Sequence, residues 1–227
     1  TRSPEIANAK NKAERKRLMN ELPISNPILY REYEEAKRQN DSYSVYFRHS
    51  ESYPYTGVSR VNLYSIFAEK FQDLININGA TGNVLPSGII LDNNNKDLYF
   101  HLIKNNRIDI VIDFENRLPI FPDVDSRYRF CLFVTVGKGG RNLYTFYQKE
   151  PLSQYDFLTI KKNDIIAINP NSLTCPSFRN TVEFEIAKKV FKKWRVFINE
   201  NEPDLNFYNL KIRTPFNMSN DAWLFKS

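Results

Sequence analysis

The sequence predicts an α/β fold, an open sheet with crossover helices that is followed by a smaller α+β segment. The first observation is a core-forming composition, since the 227 residues include 17 Phe, 13 Tyr and 2 Trp, while 26% are charged. The second is that helical and strand periodicities alternate over residues 61–150, as in strands joined by crossover helices. The third is that this alternation stops beyond residue 150. A disordered chain would be poor in aromatic residues, and no run approaches the roughly 18 apolar residues of a membrane span, so both classes are excluded.

The N-terminal elements are predicted to be helical. Helices are expected over residues 4–22 and 27–39, because Pro4 suits a first helical turn and Pro23 is expected to end the first helix. Residues 40–60 are polar and aromatic and predict a long loop, a kind of segment that is usually functional.

The middle region carries the clearest periodicity. Apolar residues recur three and four apart from residue 62, which predicts an amphipathic helix that ends near Asn78-Gly79. The following elements are a strand over 83–86, a helix over 93–105, and strands over 108–114 and 129–136. A loop with two prolines separates the last two strands.

Beyond residue 150 the predicted elements are shorter. Residues 157–160 and 165–168 resemble strands, and a helix is expected over residues 181–194, with apolar residues inward and lysines outward.

Charge is concentrated at the two ends of the chain. The net charge is +6; residues 1–60 and 151–227 each carry 11 Lys and Arg against 8 Asp and Glu, whereas residues 61–150 are balanced. Basic clusters fall near residues 10–17 and 188–195, the second including Lys188 and Lys192. Each cluster is either a solvated helix face or a contact with nucleic-acid phosphates.

Generic motifs for catalysis are absent from the sequence. The two cysteines, Cys131 and Cys175, and the two histidines do not fall at metal-ligand spacings, and no nucleophile elbow or phosphate-binding loop is found. So few cysteines indicate a reducing compartment, the cytoplasm. Cys131 lies in an apolar strand and is expected to be a core residue. Without any of these motifs, the sequence predicts an α/β domain but no particular activity.

Five short segments of the middle region, taken in order, are similar to those of a known family. They are Asn62–Phe67, Gly82–Ser87, Ile112–Asn116, Ile120–Pro122 and Arg129–Phe133, with further similar stretches at Arg2–Ala9, Asn11–Ala13 and Arg213–Asp221. The chain resembles the second half of the catalytic domain of adenine-N6 DNA methyltransferases, of the kind found in type IIG restriction–modification enzymes and phage-defence methylases. The resemblance implies part of a Rossmann-like sheet, with S-adenosylmethionine as cofactor and double-stranded DNA as partner.

The resemblance also assigns roles to individual residues. Phe67 would lie beside the adenine of S-adenosylmethionine, a core position on an amphipathic helix being the alternative. Pro86 would end the strand that borders the cofactor and target-base cleft. Phe121 would stack on the adenine flipped out of the duplex, replacing part of the stacking that the base loses. Arg127 and Arg129 would contact nearby phosphates, or be solvated at the strand end.

Other parts of the family's site are missing from the sequence. The Gly-containing cofactor loop and the catalytic Asp/Asn/Ser-Pro-Pro-aromatic tetrapeptide are absent, and Asn26-Pro27 lacks the second proline. Since the first residue is Thr, we expect a fragment whose partner is the missing N-terminal half of the domain, and which is inactive alone. The alternative is a non-enzymatic nucleic-acid-binding module with two basic arms.

The expected organisation has three parts. Residues 1–60 would be a helical insertion and loop that follow the absent catalytic motif. Residues 61–150 would be the C-terminal half of the methyltransferase α/β domain, and residues 151–227 a linker and the beginning of a target-recognition region.

Overall fold

The computed structural model describes residues 2–58, 60–118, 120–151 and 154–202, and the single positions 204, 210, 211 and 224. The chain divides into two compact units, Thr1–Asn62 and Leu63–Ser227. The similar stretch at Arg213–Asp221 lies outside the described residues.

The described residues of the first unit form three helices, α1 (Pro4–Ala7), α2 (Lys12–Ser25) and α3 (Pro27–His49). The helix expected over 4–22 is therefore interrupted, and Asn11 caps α2 by accepting a hydrogen bond from the Glu14 amide at 2.9 Å. The prediction that Pro23 ends the helix is wrong, since Pro23 lies inside α2. The chain turns instead at Asn26, whose side chain accepts from the Leu29 amide at 3.0 Å and caps α3.

The helix α3 extends to His49, so the loop predicted for residues 40–60 is wrong over its first half. Aromatic side chains one turn apart favour the extension. The rings of Tyr43 and Phe47 stack with centroids 6.5 Å apart. The Phe47 ring also packs edge-on against Tyr53, which follows the helix, at 5.2 Å.

The second unit is built on a five-stranded mixed sheet with the strand order β1-β3-β2-β4-β5. The strands are β1 (Ala80–Pro86), β2 (Ile108–Glu115), β3 (Arg129–Val136), β4 (Leu143–Gln148) and β5 (Leu158–Thr159). Because β3 is antiparallel to both β1 and β2, these two strands run in the same direction on either side of it. β4 is parallel to β2, and β5 is antiparallel to β4. The sheet and its helices confirm the predicted α/β class.

Helices flank this sheet. They are α4 (Leu63–Leu74), α5 (Gly88–Leu91), α6 (Lys96–Lys104), which follows a 3₁₀ turn at Asn93–Asn95, α7 (Lys162–Ile168) and α8 (Thr181–Lys193). α5 and α6 form the crossover from β1 to β2. The helix predicted over 93–105 corresponds to the 3₁₀ turn and α6, whereas α5 was not predicted. The strand expected over 165–168 is wrong, since these residues end α7. There the Asp164 carboxylate accepts from the Lys161 amide at 2.8 Å and favours a helix start.

The core of the second unit lies between the sheet and its helices. Fully buried side chains come from both, among them Ile90, Leu102, Val111, Phe133 and Tyr144. Strand pairing continues across residue 150, because Tyr144 in β4 pairs with Leu158 in β5. Within the described part of the chain, no helix combines the length and the apolar character that crossing a bilayer requires.

Candidate functional site

An apolar groove of about 460 Å³ opens where β1 and β2 end. Its lining residues are Val84, Leu85, Pro86, Asn116, Phe121, Val124, Tyr128, Arg129 and Phe130. Because β1 and β2 run in the same direction, their carboxyl ends lie at one edge of the sheet, which is where open α/β sheets bind ligands. The groove is therefore the candidate site.

Phe121 presents an aromatic ring at this groove. Its side chain is 40% exposed, and its ring packs edge-on against Phe130 with centroids 4.9 Å apart. Phe130 in turn stacks on Phe114, its cross-strand partner, at 5.1 Å and an interplanar angle of 7°. This aromatic row fixes one edge of the Phe121 ring and leaves part of it accessible.

The loop that carries Phe121 is closed by Asn116, a residue that is only 1% exposed. The Asn116 Oδ1 accepts from the Phe121 amide at 3.1 Å. Its Nδ2 donates to the carbonyls of Phe121 and Val124 at 3.0 and 2.9 Å. The Asn116 amide also donates to the Tyr128 carbonyl across the base of the loop. One buried side chain thus holds both main-chain groups of Phe121.

A buried carboxylate, Asp113, lies behind the groove. Its side chain is 0% exposed, and it forms an ion pair with Arg129, which is 23% exposed. Oδ1 accepts from the Ser87 hydroxyl at 2.6 Å, and Oδ2 accepts from Arg129 and, at 3.0 Å, from the Tyr147 amide. The carboxylate therefore links the ends of β1, β2 and β4 to the start of β3.

Tyr147 accommodates this network with an unusual backbone. Its φ is +61°, a left-handed conformation that is rare for an aromatic residue. It lies where the β2–β4 register shifts by a bulge. The bulge turns the Tyr147 amide toward Asp113, the ring lies 4.2 Å from the Arg129 guanidinium, and the hydroxyl is 3.0 Å from Ser177. The Asp113 carboxylate, through the Tyr147 amide, and the Arg129 guanidinium, over the Tyr147 ring, thus stabilise the strained backbone at Tyr147.

Three of the residues predicted from the sequence, Pro86, Phe121 and Arg129, meet at the groove. Arg127 does not line it. This residue is exposed and pairs with Asp125, with 2.7 Å between Nη2 and Oδ2. Hydrogen bonds from Arg127 lower the pKa of Asp125 to about 2.

The other predicted residues lie elsewhere. Phe67, on α4, is 55% exposed, which is not the burial of a core position. Its ring stacks on Phe71 at 6.3 Å, and it is not among the described residues that line the groove. On α8 the Lys188 ammonium is 3.0 Å from Glu185, whereas Lys192 is exposed in the last turn.

The two thiols, Cys131 and Cys175, are buried. Burial raises the pKa of Cys131 far above its usual range, and it raises the pKa of Cys175 to about 12. Over the described ranges no group of three or more His, Cys, Asp or Glu side chains could hold a metal ion.

Sequence reasoning assigned no role to Asp113 or Asn116, although both fall in a segment that carries the resemblance. A signal was present for Asp113, since a carboxylate amid the β-branched residues of a central strand is expected to be paired. For Asn116 the only local signal was its position at a strand end before a loop. Its partners lie five and eight residues further along and depend on the loop's fold.

No protein-family model matches this chain, and no curated protein matches it significantly.

Proposed function

We propose that this chain is the C-terminal half of an adenine-N6 DNA methyltransferase domain, running into the first part of a target-recognition region. The parent enzyme transfers a methyl group from S-adenosylmethionine to adenine N6 in double-stranded DNA. We place it in the cytoplasm, within a restriction–modification or phage-defence system.

The observation that carries the proposal is the half-exposed Phe121 ring at an apolar groove. A base that leaves the duplex loses stacking on both faces, and an aromatic side chain replaces part of it, contributing roughly 1–3 kcal/mol. The groove that Pro86 and Tyr128 help to line has a volume of about 460 Å³ and a mainly apolar lining, which suits the faces of a flat base. Its place at the carboxyl ends of β1 and β2 agrees with ligand sites in open α/β sheets.

The residues present supply part of a cofactor site only. Phe67 offers an exposed aromatic face on α4, and Pro86 ends β1, while the cofactor loop and the catalytic tetrapeptide are absent from this sequence. S-adenosylmethionine, when bound, supplies the methyl group. The task of this chain's own residues is to bind and orient the target base.

The missing N-terminal half is the proposed protein partner. Among the described residues β1 is an edge strand that pairs with β3 alone, and none of its residues Ala80–Pro86 is charged. Natural edge strands are usually protected by charges or bulges. Exposed apolar side chains on this strand and on α4 add a surface that a further strand and helix would cover: Leu63, Phe67, Leu74 and Val84.

DNA phosphates are the proposed contacts of Arg127, Arg129, Lys188 and Lys192. Of these, Arg129 and Lys188 are held by Asp113 and Glu185, and Lys192 is exposed. Each phosphate contact that is lost lowers the slope of log K against log salt by about one. We therefore expect Lys192→Gln to reduce the salt slope of duplex binding, and an unchanged slope would remove Lys192 from the interface.

Two observations on the longer protein test the proposal. We expect an Asp/Asn/Ser-Pro-Pro-aromatic tetrapeptide to be encoded within some tens of residues upstream of Thr1. In a protein that includes it, Phe121→Ala should lower turnover on a cognate duplex about 5- to 150-fold, the equivalent of 1–3 kcal/mol. Tyr43→Ala, which removes an exposed aromatic ring on α3 in the first unit, is the control. Unchanged turnover in Phe121→Ala would rule out base stacking.

The isolated chain also tests the proposal, which predicts that it is inactive. Because half of the pocket is absent, the 227 residues should neither transfer methyl groups nor bind S-adenosylmethionine with micromolar affinity. Either activity would overturn the proposal. Salt-dependent duplex binding without an upstream tetrapeptide would favour a non-enzymatic nucleic-acid-binding module.

A further inference from the structure

We infer that Asn116 is the positioning residue of this site, which sets the orientation of the Phe121 ring toward the target base. The inference rests on the proposed function, because Phe121 is the residue that meets the base.

The hydrogen bonds of Asn116 are directed at the groove loop alone. All three side-chain bonds, at 2.9–3.1 Å, go to main-chain groups of Phe121 and Val124. Fixing both the amide and the carbonyl of Phe121 fixes the φ and ψ angles on either side of its Cα, and thereby the direction of its Cα–Cβ bond.

Apart from the ring contact between Phe121 and Phe130, the described residues of the loop make few other contacts that hold this conformation. Between Asn116 and Tyr128 the main-chain hydrogen bonds of the described residues span short turns: Ile120 to Leu118, Val124 to Phe121, and Tyr128 to Asp125. These bonds set local turns, but they do not tie Phe121 to the sheet. The Asn116 side chain does so, because Asn116 directly follows β2 and its main-chain amide donates to the carbonyl of Tyr128, which directly precedes β3.

Because Asn116 is buried, its side-chain amide depends on hydrogen bonds to the loop. A buried amide group needs partners for its donors and acceptor, and here three loop groups provide them. Asn116 also lines the groove, so the residue that orients the ring lies beside the space that the base would enter. A loop held in this way keeps the ring edge-on to Phe130 before any ligand binds, which reduces the entropy lost on binding.

Fluorine NMR on the 227-residue chain, with 4-fluorophenylalanine at position 121, tests the inference. We expect Asn116→Ala to move the fluorine resonance toward its position in the unfolded chain, because the ring leaves Phe130. Asn116→Asp should do the same, since it keeps the acceptor for the Phe121 amide but sets a carboxylate oxygen against two carbonyls. Circular dichroism shows which variants are folded. If Asn116→Ala does not fold, Asn116→Asp is used for the test.

Asn95→Ala is the matched control. Asn95 is also a buried asparagine, and its Nδ2 donates to the Gly88 carbonyl at 2.8 Å and to Tyr64 at 3.1 Å, away from the groove. This variant should lose stability and leave the resonance at position 121 in place. The inference is overturned if the resonance is unmoved in both Asn116 variants, or if Asn95→Ala moves it equally.

A titration with adenosine separates this inference from the proposed function. The wild-type resonance should shift at millimolar adenosine, and both Asn116 variants should bind adenosine several-fold more weakly. If the wild-type resonance does not respond, the base-stacking proposal fails. The spectra without adenosine then still decide whether Asn116 orients the ring.

Discussion

Replacing Asp113 by Ala perturbs the buried centre behind the groove. The substitution removes the carboxylate that pairs with Arg129 and accepts hydrogen bonds from the Ser87 hydroxyl and the Tyr147 amide. It leaves a guanidinium without its partner, in a position where water reaches only 23% of the side chain. The left-handed backbone of Tyr147 also loses the bond that compensates it.

The expected loss of stability follows from this burial. Removing one partner of a buried ion pair costs about 3–5 kcal/mol, because the remaining charge is left uncompensated. Since Arg129 keeps some contact with water, we expect the lower end of this range, about 3 kcal/mol. For a unit of this size each kcal/mol lowers the melting midpoint by about 2–4 °C, so the midpoint should fall by about 6–12 °C.

Thermal unfolding followed by circular dichroism measures this midpoint. The matched control is Asp125→Asn, which breaks the exposed pair with Arg127. An exposed ion pair is screened by water, so the melting midpoint of this variant should equal that of the wild type. The reasoning is refuted if Asp113→Ala melts at the same temperature as Asp125→Asn.

Three further predictions concern stability, reactivity and titration. Gly140→Ala should strongly destabilise the chain, since a Cβ there would lie 2.2 Å from the Ile108 carbonyl oxygen. In Gly82→Ala the added Cβ meets no atom within 4 Å, so this variant should be tolerated. Urea unfolding compares the stability of the two variants. Both cysteines are buried, so neither should react with a thiol reagent at pH 8 until the chain is unfolded, and reaction of the native chain would contradict their burial. Carboxyl NMR should find the Asp125 pKa near 2, and in Arg127→Gln this pKa should return toward about 3.9. Because the folded pKa is lowered, the contribution of this exposed pair to stability, which water screens to a small value, is present above about pH 4 and lost as the pH falls toward 2. Equal Asp125 pKa values in both proteins would contradict the pairing.

Periodicity in the sequence predicts most of the second unit. The helices α4, α6 and α8 and the strands β2 and β3 form close to where they were predicted. The apolar side chains of α6 are buried as expected, whereas α4 exposes Leu63, Phe67 and Leu74, and α8 buries only Phe184. The strand β4 was not predicted, although its aromatic and β-branched run Tyr-Thr-Phe-Tyr was a signal for it. The errors at α7 and α3 have local causes. A carboxylate cap selects a helix at Asp164, and aromatic pairs extend α3.

The site was predictable only in part. Phe121 and Pro86 came from an ordered resemblance of short segments, and both line one groove. Asp113 and Asn116 bind groups on other strands or on a folded loop, and such pairings depend on register and loop conformation, which residue spacing does not encode.

The central claim is that the Phe121 ring receives an unstacked adenine. The most direct measurement is an adenosine titration of the chain labelled with 4-fluorophenylalanine at position 121, compared with the same label at the exposed Phe197. A saturable shift at position 121 with no matching shift at position 197 is the predicted result. No shift at position 121, or equal shifts at both positions, would contradict the claim.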